Sequence, residues 1–238
     1  MNVGILRFPG SNCDFDALHF FTKFGHKAEF VWYKDMRKLD YDLLVLPGGF
    51  AFGDRTYTKA TGTYEIDPGV LAIGSPVMKA LRRVADSGTP VLGICNGFQI
   101  LVKAGLLPGK LLRNTSKKFF CDYVACTVAG GSFFGDESMA GKTFTVPVAH
   151  GYGRYAISKS ELKQLEKNGQ IFLTYAGLNP NGSVADIAGV CNEQKNIFGM
   201  MPHPERSPDG EYFMHAIEKY VIISSSLRAK RGNLVIEK

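Results

Sequence analysis

The sequence predicts an α/β fold whose central, mostly parallel sheet continues into antiparallel strands, and three observations carry that prediction. The first hundred or so residues alternate short, uninterrupted apolar runs with helical segments, the pattern of parallel strands covered on both faces. The later part changes rhythm to strand-like runs parted by Gly, Asn and Pro turns, as an antiparallel extension of one sheet would require. At 238 residues, 45% hydrophobic and 21% charged, the chain has the size and balance of one large globular domain spanning residues 1–238.

Taken in order, residues 3–8 read as a buried strand ended by Pro9-Gly10. A helix over 14–24 follows, with Gly25 placed to cap it. Residues 28–32 and 43–46 are the next strands, the second closed by Pro47-Gly48-Gly49. Residues 77–85 are helical, with Gly88 and Pro90 as stop signals. A strand over 91–94 runs into a helix over 98–104 that ends at Gly105. Residues 119–128, 143–148, 171–175 and 197–200 form the antiparallel group. Ser207-Pro208 starts a last helix over about 211–223, serine serving as N-cap and proline sitting in the first turn. Residues 51–76, aromatic and Gly/Thr-rich with a turn at Asp67-Pro68-Gly69, read as a long loop of functional character.

Several function classes are excluded. No apolar run approaches the ~18 residues of a membrane span. The N-terminus enters a strand directly, with no secretion signal, so the expected location is the cytoplasm. Cys13, Cys95, Cys121, Cys126 and Cys191 form no CxxC pair and look like a reduced inventory, so neither a disulfide framework nor a bound metal is expected. The net charge of +6 is dispersed, its densest cluster (Arg228, Lys230, Arg231) falling in a tail, so a nucleic-acid partner is not expected.

The chemistry centres on Gly93-Ile94-Cys95-Asn96-Gly97, at the junction of a buried strand and a helix. Glycines two before and two after the cysteine match the G-x-S-x-G nucleophile elbow with sulfur in place of oxygen. A helix N-terminus favours thiolate, and the Asn96 N–H points where a tetrahedral oxyanion would form. The bland alternative is a small buried cysteine in a β-α turn. In Met201-Pro202-His203-Pro204-Glu205, two prolines hold His203 in a rigid loop at a strand end, and Glu205 can reach its far ring nitrogen. Cys95 as nucleophile, His203 as base and Glu205 as orienter make a complete triad. The competing readings are a histidine that only caps the following helix and a Glu205–Arg206 pair. Glycines after the strand ending at Leu46 let a backbone N–H, from Gly49 or Phe50, complete the oxyanion hole. A phosphate loop competes for this segment, but neither GxxxxGK[ST] nor GxGxxG is present.

Together these segments resemble the class I glutamine amidotransferases. The carrying residues are Phe8-Pro9-Gly10-Ser11-Asn12-Cys13-Asp14, Pro47-Gly48-Gly49-Phe50, GICNGFQIL from Gly93, and Gly105-Leu106-Leu107-Pro108-Gly109. Pro147-Val148-Ala149-His150-Gly151 and GMMPHPER from Gly199 complete the set. The resemblance implies a flavodoxin-like sandwich in which Cys95 attacks the side-chain amide of L-glutamine, releases ammonia and leaves a glutamyl thioester for water. By motif position, Gln99 and the Gly151–Tyr152 loop are implied contacts for the amino-acid end of glutamine. In the branch serving purine biosynthesis, ammonia passes to an ATP-dependent synthetase that makes formylglycinamidine ribonucleotide, often with a small bridging subunit. ATP and magnesium belong to that synthetase, so no cofactor is expected on this chain. Its end, shortly after the last helix, fits a free-standing subunit.

Two departures from the family pattern stand out. Tyr152 occupies a position where many relatives carry glutamate, and the segment from Arg55 to Pro76 is longer than is usual there. The rival readings are a stand-alone cysteine hydrolase or deglycase of the related superfamily, which lacks the distal His-x-Glu, and a non-catalytic regulatory relative, which would have lost a triad member.

Overall fold

The computed structural model describes all residues except 36–37, 52–55, 60–61, 66–71, 130–135 and 237–238, and the side chains of 56–59, 62–65 and 227–236 are likewise left aside. The elements in order are β1 (Asn2–Arg7), α1 (Asp14–Lys23), β2 (Lys27–Trp32), β3 (Leu43–Leu46), β4 (Thr56–Lys59), β5 (Gly62–Glu65), α2 (Pro76–Asp86) and β6 (Val91–Ile94). Then come α3 (Asn96–Lys103), β7 (Lys110–Leu112), β8 (Phe120–Val128), β9 (Thr143–His150), β10 (Arg154–Ala156) and α4 (Lys159–Lys167). Last are β11 (Ile171–Ala176), β12 (Ile187–Cys191), β13 (Ile197–Met200) and α5 (Gly210–Ile236).

One nine-stranded sheet, ordered β2-β1-β3-β6-β13-β12-β11-β8-β9, organises the molecule. The pairs from β2 through β13 are parallel, and those from β13 onward are antiparallel. The two-part sheet expected from the change of rhythm is therefore present. Its parallel part has the 2-1-3-4-5 strand order of flavodoxin-like folds, in which ligands bind beyond the carboxyl ends of the strands where the winding reverses. All four residues of β3, β6 and β13 are buried, as strands covered on both faces must be. In β9 burial alternates, with Phe144, Val146, Val148 and His150 inward.

Several expectations need correction. Residues 51–76 contain a hairpin, β4 paired with β5 in antiparallel register, where a loop was expected; the turn at Asp67-Pro68-Gly69 lies outside the described residues. The last helix begins at Gly210 and runs to Ile236, so Arg228, Lys230 and Arg231 belong to a helix and not to a tail. Ser207 is not its cap: residues 204–206 form a separate 3-10 turn, and the Ser207 hydroxyl accepts the Asp209 N–H and donates to the Thr145 carbonyl. The short strands β7 and β10, the strand β12 and the helix α4 were not anticipated.

Candidate active site

The elbow forms where β6 meets α3. Cys95 has φ 50° and ψ −105°, a left-handed conformation that costs a non-glycine residue on the order of 1–3 kcal/mol. Packing on both sides holds it there. The Cys95 N–H donates to the Met200 carbonyl at 2.8 Å, tying the elbow to β13. A Cβ on Gly97 would collide with the Leu46 carbonyl of β3, and one on Gly93 would come 2.5 Å from Leu101 and 2.8 Å from the Gly97 backbone. The flanking glycines thus let α3 seat directly against β3 and β6. Asn96 opens α3, so its N–H has no intrahelical partner.

His203 follows β13 as expected, in the turn between Met200 and the 3-10 segment. Its Nδ1 is 2.8 Å from Glu205 Oε1, and both side chains are closed off from solvent. Burial opposes protonation of the ring. Glu205 first, then the thiols of Cys95 and Cys13, outweigh it and hold the His203 pKa well above the ordinary imidazole value. The pull from Cys95 brings the nucleophile candidate and the base candidate into one cluster. Nε2 makes no hydrogen bond of normal geometry among the described residues, although both thiols lie within its electrostatic reach. The competing Glu205–Arg206 pair does not form, because the Arg206 guanidinium binds Asp16 through Nε and Nη2 at 3.0 and 2.5 Å.

Space for the imidazole comes from Gly48, where a Cβ would stand 2.6 Å from His203 Cε1. Beside it, Gly49 has φ +146°, and a Cβ there would strike the Gly10 carbonyl and the Asn12 N–H at 2.5 Å. The loop after β1 is laced to this segment by Cys13 N–H to Gly48 O at 3.1 Å and Phe50 N–H to Gly10 O at 2.8 Å. The second bond corrects the sequence reading. Of the two proposed oxyanion donors, Phe50 has its N–H already engaged, whereas the Gly49 N–H has no partner among the described residues.

The free edge of β9 completes the site. Strands lie about 4.8 Å apart, so β9, five steps from β6, would be about 24 Å away in a flat sheet. The sheet instead curls until the two ends of the antiparallel part embrace the elbow. Every second residue of β9 points its unpaired backbone at the His203 loop. Thr145 accepts from Ser207 Oγ at 2.7 Å and donates to Asp209 Oδ2 at 2.9 Å. Pro147 O accepts the His203 N–H at 2.9 Å. Ala149 O lies 3.6 Å from Cys95 Sγ. Pro147 is tolerated because, on an edge strand, its missing N–H faces no partner.

Gln99, implied as a glutamine contact, is 1% exposed, and its amide is taken up internally. Oε1 accepts from Asn96 Nδ2 and Nε2 donates to the Tyr152 carbonyl, each at 2.9 Å. It ties α3 to the Gly151–Tyr152 loop, an anchoring position rather than a free ligand contact. The Asn96 side chain in turn bonds the Ala51 backbone through both of its polar atoms.

Three residues around the site had no role assigned to them from the sequence. Asn114 receives the Gly153 N–H on Oδ1, donates Nδ2 to the carbonyls of His150 and Lys118, and has its own N–H on Gly151 O, clamping the 150–153 loop. No sequence signal marks it, since its partners in that loop lie far along the chain. His150, fully buried beside this loop, has no hydrogen bond on either ring nitrogen among the described residues. Desolvation, then repulsion from His203, push its pKa down to about 4 against a weaker opposing backbone hydrogen bond, so this second imidazole is neutral. Cys13 was noted only as part of a motif, yet its sulfur faces His203. Cys13, His203 and Glu205 are the group of described residues able to hold a metal ion, with one ligand atom from each all within 4.8 Å of one another.

Comparisons with known proteins identify the family. A family profile for the CobB/CobQ-like glutamine amidotransferase domain matches residues 1–222. The "Phosphoribosylformylglycinamidine synthase subunit PurQ" of Wolinella succinogenes is 46% identical over 210 residues, covering 87% of this chain and 91% of that one. The protein of the same name from Thermomicrobium roseum is 47% identical over 219 residues, covering 88% and 89%. Among solved structures, a chain of PurLQS from Thermotoga maritima superposes with a TM-score of 0.76 at 36% identity, covering 92% of this chain and 98% of that one. A glutamine amidotransferase from Thermotoga maritima shares the fold alone, with a TM-score of 0.54 at 16% identity, covering 96% of this chain and 95% of that one. The chain belongs to the glutamine amidotransferase family and, within it, to the PurQ subunits of phosphoribosylformylglycinamidine synthase.

Proposed function

We propose that this chain hydrolyses glutamine to glutamate and ammonia through a thioester on Cys95, and delivers the ammonia to a synthetase that makes formylglycinamidine ribonucleotide. The observation that carries the reading is a buried imidazole joined to Glu205 on one nitrogen, influenced by the Cys95 thiol, and raised in pKa by both. For a cysteine nucleophile, a protonated His203 is the product of the first proton transfer, leaving a thiolate–imidazolium pair ready to react. The thiolate attacks the side-chain amide carbon of glutamine. Charge on the tetrahedral oxygen meets the N–H groups of Asn96 and Gly49. The imidazolium hands its proton to the departing nitrogen, ammonia leaves, and Cys95 holds the glutamyl group. Neutral His203 then takes a proton from water, hydroxide adds to the thioester, and glutamate departs with the thiolate restored. Glu205 keeps the ring oriented and stabilises its charged form throughout.

Gly151 and Tyr152 lie on the loop that Gln99 and Asn114 anchor, just beyond Ala149, whose carbonyl is 3.6 Å from Cys95 Sγ, which supports a role for this loop in holding the amino-acid end of glutamine. ATP and magnesium act on the synthetase, and a small protein bridges the two. Cys95 is 2% exposed, so substrate entry requires opening. We expect weak hydrolysis by the chain alone and stimulation of order 10- to 100-fold when the synthetase assembles, a coupling of about 1–3 kcal/mol. Glutamate release measured with and without the partner tests this, and equal rates would remove the gating. An electrophilic glutamine analogue followed by mass spectrometry should label Cys95, and labelling of Cys121 or Cys13 in its place would overturn the mechanism. A stand-alone deglycase is not favoured, since it would have no use for the Pro202–Glu205 turn.

A further inference from the structure

The loop after β1 delivers a second sulfur to the imidazole. Cys13 is 5% exposed and precedes α1 without making a side-chain cap. Its Sγ lies 3.2 Å from the point where a Cβ of residue 48 would stand, and His203 Cε1 lies 2.6 Å from the same point. Gly48 therefore leaves open a space that thiol and ring share. Glu205 Oε2, a ligand-capable atom at this spot, is buried and has no hydrogen-bond partner among the described residues. Glutamine hydrolysis as derived above has no task for Cys13.

A thiol, an imidazole and a carboxylate form the ligand set of a soft-to-borderline divalent ion such as Zn2+. At Zn–S and Zn–N lengths of about 2.3 and 2.0 Å, ligand atoms around a tetrahedral ion stand roughly 3.5 Å apart. The atoms of Cys13, His203 and Glu205 already lie within 4.8 Å of one another, so closure needs side-chain shifts of about 1 Å. Glu205 Oε1 already faces Nδ1 at 2.8 Å, and Nδ1 and Cys13 Sγ lie 3.3 and 3.2 Å from the open point at Gly48, so the ion takes the place of the Glu205–Nδ1 hydrogen bond.

We propose that Cys13, His203 through Nδ1, and Glu205 form an inhibitory site for Zn2+. Binding forms Zn–S and Zn–N bonds and releases to solvent the proton of the Cys13 thiol and that of the imidazolium. No oxidant or reductant is involved. The ion takes the imidazole away from Glu205 and leaves its remaining proton on Nε2, so glutamine hydrolysis stops until a chelator removes it, and affinity rises with pH as the two protons become easier to displace. The inhibition rests on the role given to His203 above; the metal binding does not.

The test uses the full chain, freed of metal, titrated with Zn2+ against a chromophoric chelator while glutamate release is followed in the complex. One equivalent should bind, activity should fall in the same titration, and EDTA should restore it. Cys13→Ala should weaken zinc binding by more than the about 10- to 100-fold that losing an outer-shell partner costs, each variant's inhibition being scored against its own metal-free rate. Co2+ in the wild-type chain should give a sulfur-to-cobalt charge-transfer band that is reduced in Cys13→Ser, a reading that stands even where Cys13→Ala does not fold. Equal zinc affinity in wild type and Cys13→Ala, or the absence of stoichiometric binding, would overturn the site. Cys13-dependent binding in a chain that never hydrolyses glutamine would sink the proposed function instead and leave the metal site standing.

Discussion

The parallel and antiparallel parts of the sheet serve the site by different means. Strands β3, β6 and β13 end in loops that carry the reactive groups: Gly49 after the first, Cys95 after the second, His203 after the third. Their side chains are directed by strained or crowded backbone, with φ 50° at Cys95 and glycines wherever a Cβ would collide. The antiparallel part contributes no member of the triad. It contributes an edge: the alternate backbone groups of Thr145, Pro147 and Ala149, which would otherwise be an exposed template for pairing, are bonded to the His203 loop and directed at the Cys95 sulfur. In the proposed mechanism one part does the chemistry and the other sets its position. Changes in the parallel part should therefore abolish the reaction, whereas changes in the antiparallel part should weaken stability or alignment.

The largest effect is expected at the elbow. Cys95→Ala should lower glutamine hydrolysis by about four to six orders of magnitude, as removal of a triad nucleophile does. Synthesis from added ammonia in the assembled complex should persist, because the fold and the docking surface remain. Assaying both nitrogen sources on one preparation checks this; a parallel loss of ammonia-dependent synthesis would show that the substitution damaged more than the chemistry.

Glu205→Gln keeps the shape of the turn and removes the largest influence raising the His203 pKa. The rate should fall about 10^4-fold, the order seen when a triad carboxylate is replaced by its amide. The sign of the pH effect follows from the same cause. A raised folded pKa gives stability that is fully present below the unfolded value of about 6.5 and is lost as pH rises through the folded value. Glu205→Gln should erase that alkaline loss, which denaturant titrations across pH would reveal as a flatter stability curve on the alkaline side.

His150 tests the antiparallel part with the opposite sign. Its pKa of about 4 is depressed, so its neutral form contributes stability above about pH 6.5 that is lost as pH falls toward 4. A shift of this size corresponds to about 3 kcal/mol for a buried group. His150→Gln, which cannot titrate, should lose less stability than wild type between pH 6.5 and 4 in denaturant unfolding. An unchanged slope would mean that other groups govern the acid transition.

How much of this was legible beforehand divides along the same line. The parallel strands were readable because each is a short apolar run closed by Gly or Pro, and the triad was readable because Gly93–Gly97 and Pro202–Glu205 place reactive residues beside local backbone signals. Helix α4 carried a signal that went unused: Ser158 and Glu161 are spaced as a capping box, and both reciprocal bonds are present. Strand β12, Ile-Ala-Gly-Val-Cys, is buried at all five positions and so lacks the alternation that marks a half-exposed strand. Nothing local could have placed Asn114, Cys13 or the edge of β9 at the site, since each acts through contacts set by the curl of the sheet. The choice of Gly49 over Phe50 as oxyanion donor was hidden for the same reason, because it depends on a hydrogen bond to Gly10, on a different loop.

The smallest expected effect probes that curl most directly. Ser207 Oγ donates to Thr145 O and also accepts the Asp209 N–H, so Ser207→Ala removes one bond that fastens the His203 loop to β9 and one that shapes the turn itself. Both partly solvent-exposed, they should together cost about 1–2 kcal/mol of stability. Two other ties, His203 N–H to Pro147 O and Thr145 N–H to Asp209 Oδ2, do not involve the Ser207 side chain and remain. If the edge of β9 serves to align the imidazole, kcat should drop several-fold while KM for glutamine stays near its starting value, because the loop proposed to hold glutamine is anchored separately by Asn114 and Gln99. A rise in KM at constant kcat would instead assign this edge to glutamine binding, and the division of labour between the two parts of the sheet would have to be redrawn.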